Sequence, residues 1–343
     1  MILKTYSFTK NGVVNDVYTL TNQAGVSMQV LNYGARIISL CVPDRRGNFL
    51  DVIVGPKTPE DFYDEPDYFG STVGRYCNRI ENGKFTLNGV EYQLDKNQYG
   101  HSLHGGNTAN FDRAVWTAEI AGDSLKLTHF SPDGAGGYPG NLTVSVTYTL
   151  TDDNAVVIDY LATTDKDTVV NLTHHSFFCL SEERTVRDHI LMINADKITP
   201  VDDTLVPHGE FRDIRQTAFS FYPPKPVCAD MDSTEPMIVR SSGYDLNYCL
   251  NRSTLNELEH CAYLYDGKSG RKLDCYTTLP GLQIFATKGL ASFFRKNDYP
   301  EYPSVCLETQ YFPNSPNCPN YPSATLKVGQ EYKQKTVYKF SVE

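Results

Sequence analysis

The sequence predicts an all-β protein, either a sandwich or a closed barrel, on three observations. Runs of strand length in which apolar and polar residues alternate recur along the whole chain. Turn chemistry rich in Gly, Asn, Asp and Pro separates them. Segments with helical period are nearly absent, while β-prone aromatics abound, with 23 tyrosines and 17 phenylalanines. Taken in order, "KFTLNGVEYQL" (84–94) predicts a hairpin, because Asn88-Gly89 supplies the two positive-φ positions of a type I′ turn. "NLTVSVTYTLTDDNAVVIDYLAT" (141–163) predicts two alternating strands around Asp152-Asp153-Asn154. "STLNELEH" (253–260) is the candidate for a short helical turn or two. "LDCYTTLPGLQIFAT" (273–287) and "QEYKQKTVYKFSV" (330–342) continue the strand pattern. No linker, composition break or fixed-period repeat divides the chain. Residues 1–343 therefore read as one large β domain, with two packed subdomains as the alternative.

Composition narrows the function. A formal net charge of -10 and a pI near 5.3 argue against nucleic acid or an anionic membrane as partner. The opening "MILKTYSFTKNG" has no apolar signal core, and no apolar run is long enough to span a bilayer. Cytoplasmic residence is the expectation. The nine cysteines are scattered, with no C-x-x-C pair, which fits buried reduced thiols rather than a disulfide framework or zinc ribbon. The N-L-T triplets at Asn141 and Asn171 read as accidental glycosylation sequons.

Polar chemistry sits where a β core alone would not put it. "VVNLTHHSFFCL" (169–180) carries two adjacent histidines in an apolar run. Successive strand side chains point to opposite faces, so one of His174 and His175 faces a site and the other faces packing or solvent. "GRYCNRIENGKF" (74–85) sets Arg75 and Arg79 around Asn78. "YGHSLHGG" (99–106) places His104 before a glycine pair. "SVCLETQYFPNSPNCPNYPS" (304–323) puts Glu308 after an apolar run and before a proline-rich loop, and "GYDLNYCL" (243–250) adds Asp245. Each has an ordinary structural reading: a turn histidine, a paired hairpin arginine, a loop-capping glutamate. Together they supply an imidazole that titrates near ~6.5, a tunable carboxylate and directional hydroxyl binders. Such a set suits proton traffic on a polyhydroxy compound.

At these residues the chain resembles the aldose 1-epimerases (galactose mutarotases), over roughly 25–340. The resemblance rests on four ordered motifs: "GRYCNRI" with "NGKFTLNGVEYQL"; "SLHGG" with "FDRAVW"; "NLTHHSFF"; and "LETQYFPNSPNCPNYPS" with "LKVGQEYKQKTVYKF". "GGYPGNL" (136–142) and "TTLPGLQIF" (277–285) add to it. The resemblance implies a large β-sandwich of the galactose mutarotase-like supersandwich type, with no metal or nucleotide cofactor. It implies interconversion of the α and β anomers of free aldoses such as galactose and glucose. Carried over by position, Glu308 would take the anomeric hydroxyl proton and His175 would protonate the ring oxygen. His104 would support the charge developing near that oxygen, and Asn78, Arg79, Asp245 and Gln283 would hold the sugar hydroxyls. His175 would then face the sugar and His174 away. The chain departs from the family's usual run N-x-T-N-H-x-Y-[FW]-N-L, with His174, Phe177 and Cys179 replacing Asn, Tyr and Asn, and has Cys318 where His is common in S-P-N-H-P.

The expected partner is a small-molecule sugar, bound by a monomer or homodimer. A non-catalytic sugar-binding protein would keep Arg79 and Asp245 but need no acid and base together. A metal enzyme finds only His101-x-x-His104 as a close histidine pair. A glycosidase would pair Asp245 with Glu308, but a histidine acid is unusual there. A phosphorylated sugar would call for a cationic cluster beyond Arg79.

Overall fold

The computed structural model describes residues 1–64, 68–288 and 300–343. Its strands form three main antiparallel sheets. The largest has nine strands, in the spatial order Thr117–Ala121, Ser124–Ser131, Leu142–Leu150, Ala155–Thr164, Tyr332–Val342, Arg271–Thr277, Glu259–Tyr265, Ile190–Ile193 and Lys225–Pro226. The second has six, in the order Phe177–Phe178, Val305–Gln310, Gly281–Thr287, Gly243–Leu250, Ala195–Thr199 and Arg212–Asp213. The third is a five-stranded meander from Ile2–Lys10 to Phe49–Asp51. All three are open sheets, so the sandwich forms and not the closed barrel.

Strand alternation decides which side of the six-stranded sheet is dry. Tyr244, Leu246, Leu282, Ile284, Val305 and Leu307 point backward into one continuous core. That core also takes Tyr148, Ile158 and Leu273 from the nine-stranded sheet and Val17, Val30 and Leu40 from the meander. The Tyr338 hydroxyl donates to the Leu307 carbonyl, and Thr309 and Thr336 share a hydrogen bond, so two sheets are joined behind the same strand. The front face of Val305–Gln310 is left for Cys306, Glu308 and Gln310.

The expected hairpin forms as Lys84–Leu87 and Val90–Gln93, with Asn88 at φ 52° and Gly89 at φ 78°. The expected strands of 141–163 are Leu142–Leu150 and Ala155–Thr164, paired directly. Residues 273–287 do contain two strands, but Arg271–Thr277 lies in the nine-stranded sheet and Gly281–Thr287 in the six-stranded one. Three residues carry the chain from one layer to the other. The helical turn expected at 253–260 does not form. The Glu259 carboxylate accepts from the Ser253 hydroxyl and the Thr254 amide, which folds the segment into turns that lead into the strand Glu259–Tyr265. Among the described residues the α-helix is Pro236–Ser241, six residues long and too short for periodicity to reveal. The sequon residue Asn171 is buried with its amide bonded to Tyr311, which closes it to glycosylation.

Arg75, one of the two arginines flanking Asn78, turns out to be internal. Its guanidinium donates to the Ser131 hydroxyl at 2.8 Å and to the carbonyls of Ser131, Pro132, Pro139 and Gly140 at 2.6, 2.9, 3.1 and 2.9 Å. Burial lowers its pKa to about 10, so it keeps its charge at neutral pH. It pins the segment leading to Asn78 and Arg79 against the 131–140 loop. Arg75→Met should therefore cost at least about 3 kcal/mol of unfolding free energy in urea titration. Several buried carbonyls lose a donor at once, each worth roughly 1–3 kcal/mol.

Candidate active site

Cross-strand register builds the site floor in three rungs. Asp245, Phe285, Cys306 and Phe177 lie opposite one another on adjacent strands. Next come Asn247, Gln283 and Glu308, and then Gly281 opposite Gln310. Above this floor opens a cavity of about 380 Å³ lined by Asn78, Arg79, His104, His175, Asp245, Gln283 and Glu308, together with Tyr68 and Phe285. The seven residues to which the resemblance gives a role in proton transfer or sugar binding thus meet at one cavity. A larger hollow of about 600 Å³ beside Pro56 and Arg184 holds no histidine.

His175 and Glu308 form the centre. The His175 Nε2 lies 3.5 Å from Glu308 Oε1, with both side chains buried. The other ring nitrogen, Nδ1, lies 3.7 Å from the Cys306 sulfur. Burial keeps that thiol protonated, so it serves as a donor and leaves the imidazole proton for Nε2. Burial pushes the His175 pKa down to about 4. It pushes the Glu308 carboxyl well up, helped by the charge of Asp245 and opposed by that of Arg79. The Glu308 Oε2 is buried with no hydrogen-bond partner.

Short loops bring in the rest. His104 stands at φ 52° in the S-L-H-G-G turn. A Cβ on Gly105 would lie 2.2 Å from the Gly74 carbonyl, so glycine is required for that close approach. The His104 Nδ1 accepts from the Asn78 amide at 3.0 Å, which puts its proton on Nε2. Burial and the neighbouring His175 hold its pKa well below the usual value. The Arg79 Nε donates to Gln98 at 2.8 Å, while Nη2 lies 3.8 Å from Asp245 Oδ2. The Gln283 Nε2 donates to Asp245 Oδ1 at 2.6 Å. Tyr68 spans the two imidazoles, its ring centre 4.4 Å from that of His104 and 5.8 Å from that of His175. The site thus offers an acid–base pair, a cationic donor, amides of fixed direction and aromatic faces.

His174 points away, buried edge-on to Tyr148, with Nδ1 3.1 Å from the Ser176 hydroxyl. His101 does not join His104. Its Nδ1 accepts from the Asn82 amide and its Nε2 meets the Thr204 hydroxyl, both at 2.9 Å, so both nitrogens are engaged in loop contacts. Among the described residues, the grouping with donor atoms spaced for a metal is His175, Cys306 and Glu308, within 4.8 Å of one another. There the sulfur and the carboxyl face opposite ring nitrogens. Tyr68, Gln98 and Arg240 reach the cavity wall with no motif to announce them.

The profile of the family described as aldose 1-epimerase matches residues 16–339. The chain belongs to the aldose 1-epimerase family. It is 40% identical to the galactose mutarotase of Sus scrofa over 320 residues, covering 92% of this chain and 91% of that one. It is 32% identical to the aldose 1-epimerase of Escherichia coli K12 over 349 residues, covering 100% of both. A solved GalM/aldose epimerase homologue from C. elegans superposes with TM-score 0.86 at 28% identity, covering 94% of this chain and 98% of that one. A galactose 1-epimerase from Lactobacillus acidophilus gives TM-score 0.86 at 27% identity, covering 100% and 98%. The fold is the galactose mutarotase-like β-sandwich.

Glu308→Gln tests the electrostatics of the pair through stability alone. A carboxyl whose folded-state pKa exceeds its unfolded value of ~4.3 costs stability as pH rises through the interval between them. The variant removes that cost, so its Tm should exceed that of wild type at neutral pH and the gap should close near pH ~4. Calorimetry across that range reads the difference.

Proposed function

We propose that this protein is an aldose 1-epimerase that interconverts the α and β anomers of free hexoses such as galactose and glucose. The observation that carries the reading is the buried His175–Glu308 pair at 3.5 Å in a cavity walled by hydroxyl-binding groups. Burial disfavours both charges, which favours the uncharged form of the free pair, a carboxylic acid beside a neutral imidazole. Sugar hydroxyls bonded to the carboxylate favour the form of the pair in which Glu308 is ionised and His175 is an imidazolium with a proton on each ring nitrogen, Nε2–H facing the site. Glu308 then takes the O1 proton while His175 gives its own to the ring oxygen, and the C1–O5 bond breaks to leave the open aldehyde. Rotation about C1–C2 presents the other carbonyl face. Reclosure returns both protons, so each group works as acid in one direction and base in the other.

Binding follows from the wall. Asp245 accepts from hydroxyls, Arg79, Asn78 and Gln283 donate, and His104 Nε2–H supports charge at the ring oxygen. Arg79 is already countered by Asp245, and Arg240 is engaged by Asp202 and Asp203, which favours a neutral sugar over a phosphorylated one. The same reading takes the chain as one domain, a monomer or a homodimer. All nine cysteines are free, which supports a reducing, cytoplasmic setting, and no helix among the described residues is long and apolar enough to cross a membrane.

Polarimetry of fresh α-D-galactose and α-D-glucose tests the proposal. Wild type should accelerate the approach to equilibrium, and Glu308→Gln or His175→Asn should each lose ~10²–10⁴-fold in kcat with folding intact. The rate should also fall below about pH 4, as His175 gains a second proton for the pair. Sugar binding without acceleration on any aldose would instead mark a carbohydrate-binding protein.

A further inference from the structure

Behind the cavity wall runs a chain of side-chain hydrogen bonds that the proton-transfer chemistry does not use. Gln310 lies two residues past Glu308 on the same face of its strand, fully buried and outside the cavity lining. Its Nε2 donates to Asn247 Oδ1 at 3.1 Å and to Gln283 Oε1 at 3.2 Å. Its Oε1 accepts from the Cys77 thiol at 3.4 Å. Gln283 in turn donates to Asp245 at 2.6 Å. We propose that Gln310 is a positioning residue, which fixes the direction of the Gln283 amide and through it the face that Asp245 presents to the bound sugar. This inference rests on the epimerase reading of the cavity.

The direction of the chain is set at its far end. An amide can turn over and exchange its donor for its acceptor at little steric cost, so a ring of amides alone has no preferred sense. Cys77 removes that ambiguity. It is fully buried, and its thiol stays protonated because burial opposes the thiolate. A protonated thiol is a far better donor to a carbonyl than an acceptor from an amide, so the Gln310 oxygen turns to Cys77 and both amide protons turn to Asn247 and Gln283. Gln283 must then show Gln310 its oxygen and Asp245 its NH2. The reverse orientation would set oxygen against carboxylate at 2.6 Å and NH2 against NH2 at 3.2 Å. In a buried network both conflicts are costly.

Backbone geometry keeps the relay in place. Gly281 sits opposite Gln310, and a Cβ there would lie 2.5 Å from Asn247 Oδ1, the relay's second acceptor. The Cys77 amide donates to the Asn171 carbonyl at 2.8 Å, which holds the thiol end, and residue 78 follows directly as a cavity residue. One relay therefore ties the Asn78–Arg79 loop to the sheet that carries Asp245, Gln283 and Glu308. Its effect is on which hydroxyl pattern the wall reads and not on the proton transfer itself.

The test uses Gln310→Met, Cys77→Ala and Cys77→Ser beside wild type. It reads mutarotation kinetics on galactose and glucose, direct sugar binding by calorimetry, and Tm. Gln310→Met should raise KM and the sugar Kd about tenfold, the loss of roughly one directed hydrogen bond, with kcat held within about twofold. Cys77→Ala should raise KM less, and Cys77→Ser, which keeps a donor, should match wild type. A KM unchanged in both Gln310→Met and Cys77→Ala, with only Tm lowered, overturns the relay. So does a Cys77→Ser variant as impaired as Cys77→Ala. A wild type that neither binds nor turns over any aldose overturns the epimerase reading, and the relay's role with it.

Discussion

Burying a carboxyl group beside an imidazole is the constraint on which the rest of the site depends. In water Glu308 would be an anion and His175 would titrate near ~6.5. In the cavity the low dielectric penalises each charge, so the carboxyl is pushed up and the imidazole down to about 4. The pair is then favoured without charge and without an obligatory ion pair, and a ligand that bonds to the carboxylate shifts it toward carboxylate and imidazolium. An enzyme whose substrate and product differ only in configuration at C1 needs this symmetry, because the groups must exchange roles as the reaction reverses.

The fold earns that burial by making one sheet serve two solvents. Leu307 and Ile284 go back into the core while Glu308, Gln283 and Asp245 go forward, and the period-2 rule accounts for both. Core packing behind the strand is what makes the front precise. Tyr338 and Thr336 hold the strand Val305–Gln310, and the strand holds Glu308 3.5 Å from His175. The loops are held as firmly. Arg75 makes five hydrogen bonds to oxygens of the 131–140 loop, so the segment carrying Asn78 and Arg79 has little freedom to drift.

How much of this was legible in the sequence follows the range of each interaction. The 84–94 hairpin was readable because its turn is decided by two adjacent residues, and Tyr332–Val342 because alternation is local. That Arg271–Thr277 and Gly281–Thr287 belong to different layers was not, since three loop residues look the same whether the chain turns back or crosses over. Ser253–His260 was misread as helical because its decisive contacts are side chain to backbone around Glu259. In the site, His104, His175 and Glu308 stood out because polar residues in apolar runs demand a reason. Asn78, Arg79, Asp245 and Gln283 acquired their roles only from the resemblance. Tyr68 and Gln98 gave no signal, and Gln310 stood in the L-E-T-Q run without an assigned role. Their contacts depend on cross-strand register and loop closure, which a linear reading does not supply. His174, the odd member of the histidine pair, is accounted for by packing on Tyr148 and a bond to Ser176.

The protonation of the free pair is the most direct measurement of this account. Carbon-13 labelling of the glutamate carboxyls and nitrogen-15 labelling of the histidine rings, with Glu308→Gln and His175→Asn for assignment, would follow both groups by NMR through neutral pH. The Glu308 carboxyl should titrate well above the ordinary carboxylate range, beside a His175 ring that is neutral at neutral pH with its proton on Nε2. A Glu308 that ionises at an ordinary carboxylate pKa, with His175 titrating near ~6.5, would contradict it.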